Sequence, residues 1–83
     1  MRSTLKVNVK YFASLREVVG KSSEIVEGDL KNIEQLYDLL HSRYKFPVGR
    51  KYLKAALNCQ YTNFDTPLTE GDTVVLIPPV AGG

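Results

Sequence analysis

The sequence predicts one small α+β domain: a mixed β-sheet with a single long helix packed across one face. Three observations predict it. The segment from Leu5 to Tyr11 alternates apolar and polar residues with period two, as a half-buried strand does. A central segment from Ile33 to Tyr44 repeats its apolar residues at helical spacing. A β-branched run, Thr73-Val74-Val75-Leu76-Ile77, is closed by Pro78 and Pro79, which donate no backbone hydrogen bond. The chain has 83 residues, 43% of them apolar and 24% charged, which suits one globular domain and no more. A domain this small buries roughly 60–65% of the surface its unfolded chain exposes. It builds a modest core and is expected to borrow a partner's cavity, with no independent active site.

In chain order, Leu5, Val7, Val9 and Tyr11 share one face of the first strand. Ser14 stands three residues before Glu17, a capping-box spacing. With Leu15, Val18, Val19 and a glycine stop at Gly20, this predicts a short helix over 14–19. Residues 23–27 read as a second strand, ended by Gly28-Asp29. Asn32 caps the long helix, with Gln35 three residues on and Ile33, Leu36, Tyr37, Leu39, Leu40 and Tyr44 at helical spacing. It should stop before Phe46, because Pro47 disfavours the helical conformation there. Residues 47–51 read as a loop and 55–59 as a third strand, with Cys59 a small buried hydrophobe. Tyr61-Thr62 forms a short fourth strand, turns follow at 65–67 and 69–72, and 73–77 is the fifth strand. That order fits a β-grasp, or ubiquitin-like, fold. The domain is expected to occupy 1–77, with 78–83 an extended tail.

Other totals exclude function classes. Eleven Lys and Arg against nine Asp and Glu leave +2, no basis for nucleic-acid binding. One cysteine excludes an internal disulfide and a multi-Cys zinc site and suits a reducing compartment. No apolar run approaches the ~20 residues of a membrane span, and the first residues lack a signal peptide's apolar stretch. The expected location is cytoplasmic. Between Asp38 and Asp65 there is no acidic residue, yet Arg43, Lys45, Arg50, Lys51 and Lys54 all fall there. This basic cluster reads as a solvated loop that can also meet an acidic surface. His41, Asp65, Glu70 and Asp72 form no metal-ligand pattern, so no metal is expected.

The informative feature is the end of the chain. Gly82-Gly83 arises by chance about 0.5% of the time at ordinary glycine usage. Pro78 and Pro79 stiffen the base of the tail toward an extended conformation, and 73–83 carries no charged side chain. Such a tip suits a narrow channel on another protein. If the Gly83 carboxylate is activated, for instance as an acyl-adenylate, glycine lets the activating enzyme close around its backbone. The six glycines form no G-x-x-x-x-G-K loop and no G-x-G-x-x-G fingerprint, so ATP binding is expected on a partner. Phe12 has the opposite parity to Tyr11. With Ile77, Pro78 and Val80 it is expected to form an exposed apolar patch beside the tail, marking an interface; the alternative is that these side chains close the end of the sheet.

Several segments carry a resemblance. Val9-Lys10-Tyr11-Phe12-Ala13-Ser14-Leu15-Arg16-Glu17-Val18-Val19-Gly20, Ala55-Ala56-Leu57-Asn58, Asp65-Thr66-Pro67-Leu68 followed by Glu70-Gly71-Asp72, and Ile77-Pro78-Pro79-Val80-Ala81-Gly82-Gly83 resemble the molybdopterin synthase small-subunit family. The resemblance is weakest over 21–54. It implies a sulfur carrier with no bound cofactor. A ubiquitin-activating-like adenylyltransferase would use ATP and magnesium to adenylate Gly83. A sulfur donor protein would convert it to a thiocarboxylate. The tail would enter the large catalytic subunit, in a heterotetramer, to deliver sulfur to cyclic pyranopterin monophosphate. By position, Gly83 bears the sulfur, Gly82, Ala81 and Val80 lie in the channel, and Phe12, Arg16, Ile77, Pro78 and Pro79 meet the partner. Ala81 replaces the Ser or Thr often found before the glycines. Three other readings stay open: a carrier for thiamine or tRNA thiolation, a protein modifier joined to lysines, and a binding module with a frayed glycine end.

Overall fold

The computed structural model describes residues 4–47 and 49–78. The elements run β1 (Leu5–Tyr11), α1 (Ala13–Val19), β2 (Ser23–Gly28), α2 (Ile33–Tyr44), a 3-10 turn (Arg50–Tyr52), β3 (Lys54–Leu57), β4 (Gln60–Thr62) and β5 (Thr73–Ile77). The strands form one sheet in the order β2-β1-β5-β3-β4. β1 and β5 are parallel at its centre, while the β1–β2, β3–β5 and β3–β4 pairs are antiparallel. Val7, Val9, Tyr11, Val26, Ala55, Val74 and Leu76 are buried on one face, in one core cluster with Ile33, Leu36, Tyr37 and Leu40 of α2. This is the β-grasp arrangement that the pattern predicts.

Local chemistry sets the boundaries of α2. The Asn32 side chain accepts the Gln35 N–H at 2.9 Å, and the Gln35 side chain accepts the Lys31 N–H at 3.0 Å. Donors at the helix start are thus satisfied reciprocally. At the other end Lys45 adopts φ 57° and its N–H bonds the His41 carbonyl at 2.8 Å.

Three local expectations differ from the structure. Ser14 does not cap α1: the N-cap is Phe12, which makes no side-chain cap bond, and Ser14 lies inside the helix. Phe12 is still extended, and the chain turns at Ala13 with φ 52°, so the strand end sets where the helix begins. The glycine stop is as expected, with Gly20 at φ 87°. The third strand starts at Lys54 and ends at Leu57, not Cys59. Leu57 pairs with Gln60, leaving Asn58 and Cys59 as a two-residue turn with φ 51° and 76°. Positive φ at both central residues is the turn that matches strand twist. Asn58 tolerates it and ties the turn to β5, donating to Asp72 at 3.0 Å and accepting from the Thr73 N–H at 3.0 Å. Cys59 is exposed there, not buried. The loop expected over 47–51 runs into the 3-10 turn.

Cys59→Gly is therefore expected to raise unfolding free energy by up to about 1 kcal/mol, because a left-handed non-glycine residue carries a steric cost of that order. Urea denaturation reads this directly. A loss above ~1 kcal/mol would mean that the thiol packs against something.

Candidate functional site: the sheet end where β5 stops

Parallel pairing of β1 and β5 decides the site. Tyr11 is level with Leu76, so Phe12 and Ile77 occupy the next step at the same end of the sheet. Phe12 keeps extended backbone, with φ −124° and ψ 151°, and strand alternation continues through it. Phe12 and Ile77 thus fall on the face that α2 leaves uncovered. Phe12 is 50% exposed and Ile77 half-buried. Pro78 is buried, so the expected patch does not include it as exposed surface. Pro79, Val80, Ala81, Gly82 and Gly83 lie outside the described residues. Arg16 is exposed on α1, the helix that follows Phe12 and packs on β1 and β5.

Register extends the patch to residues that the sequence reading did not assign to it. Val75 pairs with Ala56, and Ala56 with Tyr61. This row crosses the uncovered face one step behind Ile77 and ends in Tyr61, 75% exposed on the edge strand β4. Lys54, level with Ile77, and Lys10, level with Val75, flank the apolar row. Tyr61 and Lys54 also line an open groove of ≈ 730 Å³ at the β3–β4 edge. The signal for Tyr61 was an exposed aromatic of the right parity on a short strand. Its use required the β3–β4 register, which only the two-residue turn at Asn58 and Cys59 fixes.

A carboxylate holds this end of β1 in place. Glu24 accepts hydrogen bonds from the Tyr11 hydroxyl at 2.5 Å and the Tyr44 hydroxyl at 2.8 Å, and Lys21 lies 3.4 Å away. One group therefore joins β1, β2 and the end of α2 at the strand end that leads into Phe12. Burial works to raise the Glu24 carboxyl, but the bonds from Tyr11, Tyr44 and Lys21 outweigh it and hold the group below its ordinary value. Burial, then the bond to Glu24, pushes both the Tyr11 and Tyr44 phenols up. A depressed carboxylate contributes stability above its unfolded pKa and loses it as pH falls through the folded value. Glu24→Gln is expected to cost about 1–2 kcal/mol at pH 7 and to lessen the acid sensitivity of unfolding below about pH 4.5. Urea titrations at neutral and acid pH check both; equal acid sensitivity in variant and parent would rule the linkage out.

Among the described residues, no cluster of His, Cys, Asp and Glu is placed to hold a metal ion. No described helix is long and apolar enough to cross a membrane.

The ThiS family model matches residues 9–83. The chain belongs to the ThiS family. It is 36% identical over 80 residues to the molybdopterin synthase sulfur carrier subunit of Escherichia coli K12, covering 93% of this chain and 99% of that one. Among solved structures it resembles the putative molybdopterin converting factor subunit 1 of Pyrococcus furiosus, with TM-score 0.78, 32% identity, and 92% and 99% of the two chains covered. It also matches a chain in the complex of subunits 1 and 2 of molybdopterin-converting factor from Helicobacter pylori, with TM-score 0.67, 25% identity and coverage of 95% and 100%. These neighbours share the β-grasp fold, and the resemblance read from the sequence is that of this ThiS-family branch.

Proposed function

We propose that this chain is the sulfur-carrier subunit of a molybdopterin synthase, with residues 1–77 as the folded handle and 78–83 as the reactive tail. The observation that carries the proposal is full-length similarity to the E. coli carrier subunit, at 36% identity over 99% of that protein. The exposed patch of Phe12, Ile77 and Tyr61, at the sheet end from which the tail departs, supports it. It is a docking face placed beside the reactive end.

The chemistry begins on a partner adenylyltransferase. A Gly83 carboxylate oxygen attacks the α-phosphorus of magnesium-bound ATP, and pyrophosphate leaves. The terminal sulfur of a persulfide on a sulfur donor protein then displaces AMP, and a second thiol attacks the donor-side sulfur of the resulting acyl disulfide, so that the thiocarboxylate leaves and a disulfide remains on the donor. The thiocarboxylate is ionised at neutral pH, and its soft sulfur is a competent nucleophile. Inside the large catalytic subunit it is shielded from water, and that subunit's cationic groups stabilise the charge that develops as sulfur passes to cyclic pyranopterin monophosphate. Gly82 and Ala81 keep the channel segment narrow. Phe12, Arg16, Ile77, Pro79 and Val80 meet the large subunit, and the complex of the Helicobacter pylori subunits is the precedent for that pairing. ATP-dependent activation and a reactive thiol-like terminus suit the reducing cytoplasm.

Mass spectrometry of the chain coexpressed with its activating enzyme and sulfur donor tests the reading. Replacement of one terminal oxygen by sulfur is expected. Lysine conjugates without terminal sulfur would assign the chain to protein modification instead.

A further inference from the structure

Most of the described cations lie toward the end of the sheet that carries the patch, with Lys6 and Lys31 as exceptions. Lys54 is level with Ile77, and Lys51 lies in the turn just before it, over the Tyr52 ring at 5.1 Å. Arg43 and Lys45 bracket Tyr44, whose ring sits 6.3 Å from that of Tyr11 at the end of β1. Arg16 follows Phe12 in α1. All five are exposed, and none forms an ion pair among the described residues. Arg50 and Lys21, by contrast, pair with Glu34 and Glu24. Carboxylates gather at the other end of the sheet, around Lys6. Leu5 pairs with Gly28, which places Glu27 and Asp29 there, and the Glu70 side chain accepts the Lys6 N–H at 3.1 Å. A net charge of only +2 hides this polarity.

We infer that Arg16, Lys51 and Lys54, beside the apolar patch, together with Arg43 and Lys45 at the same end of the fold on the helix side, form a basic collar at this end of the domain, which docks against an acidic rim on the large synthase subunit, outside the channel that takes the tail. This deepens the sulfur-carrier reading and rests on it. The collar is continuous with the proposed docking face, and carboxylates are the surface groups that complement uncompensated Lys and Arg. The polarity orients the carrier before contact, so that the tail end leads. Such an arrangement acts mainly on association rate. A carrier that must dock, deliver and leave gains speed from steering without being held longer.

Association of the full chain with the recombinant large subunit, followed by stopped flow between ~10 mM and ~1 M salt, tests this. The Debye length falls from about 30 Å to about 3 Å over that range. Wild-type association is expected to slow steeply with salt. Lys51→Glu with Lys54→Glu should slow it about tenfold at low salt and flatten the salt dependence, with dissociation changed less than about twofold. Lys6→Glu with Lys31→Glu, an equal charge change away from the collar, should leave the rate within about twofold. Equal effects of the two pairs, or none from the collar pair, would overturn the collar while leaving the carrier reading intact. Failure of the wild-type chain to bind the large subunit would overturn both.

Discussion

Deleting Gly83 is expected to cut thiocarboxylate formation by at least about 10²-fold while leaving the unfolding midpoint unchanged. The shortened chain still ends in a glycine carboxylate, so the chemistry of the end group is preserved. Its position is not. One residue of extended chain spans about 3.3–3.6 Å, and a misplacement of about 1 Å at a reacting centre already costs about 10²-fold. The fold has no stake in the change, because every core residue from Val7 to Leu76 precedes it. Terminal sulfur read by mass spectrometry, beside urea denaturation of the same samples, separates the two effects. Loading at the wild-type level would mean that the sulfur is carried elsewhere, and the mechanism would fail.

Why so much of this molecule is legible in its residues, and where reading stops, comes down to range. The period-two run from Leu5 to Tyr11, the Asn32 cap with Gln35 and the Pro47 stop are set within a few residues, and α2 and β1 lie where those signals put them. The Ser14–Glu17 spacing is equally local, yet it fails, because tertiary structure outweighs it. β1 holds Phe12 extended, and the turn falls on Ala13 before a serine cap can form. Cys59 fails for the opposite reason. Its apolar character suggests burial, but strand register leaves it one of two residues that must turn with positive φ. The exposed apolar patch is the least local feature. Phe12 and Ile77 are separated by most of the chain and meet only because β1 and β5 pair in parallel. Parity alone marked both as facing away from the core. That Tyr61 extends the same face depends on two successive registers, β5 with β3 and β3 with β4.

Phe12→Asp is expected to weaken binding to the large subunit by about 30- to 10³-fold, the loss of a buried aromatic anchor worth about 2–4 kcal/mol. Its stability should change by less than ~1 kcal/mol, for a reason visible in the free chain. Phe12 is 50% exposed and packs only partly. It is also the N-cap of α1 and makes no side-chain bond to the first turn, whereas Asp is among the residues favoured at that position. What the substitution loses in contact it recovers in capping, so affinity and stability move apart. Ile25→Asp supplies the comparison. Ile25 is 69% exposed on the same uncovered face, but it pairs with Asn8 on the far edge strand, away from Ile77 and Tyr61. It should leave affinity within about twofold. If exposed apolar surface anywhere on the sheet served for docking, the two variants would weaken binding alike. If Phe12 belonged to the core, its variant would unfold early and bind normally in the folded fraction. Only an interface centred on the end of β1 and β5 gives a large affinity loss for Phe12→Asp, little for Ile25→Asp, and similar unfolding midpoints for both.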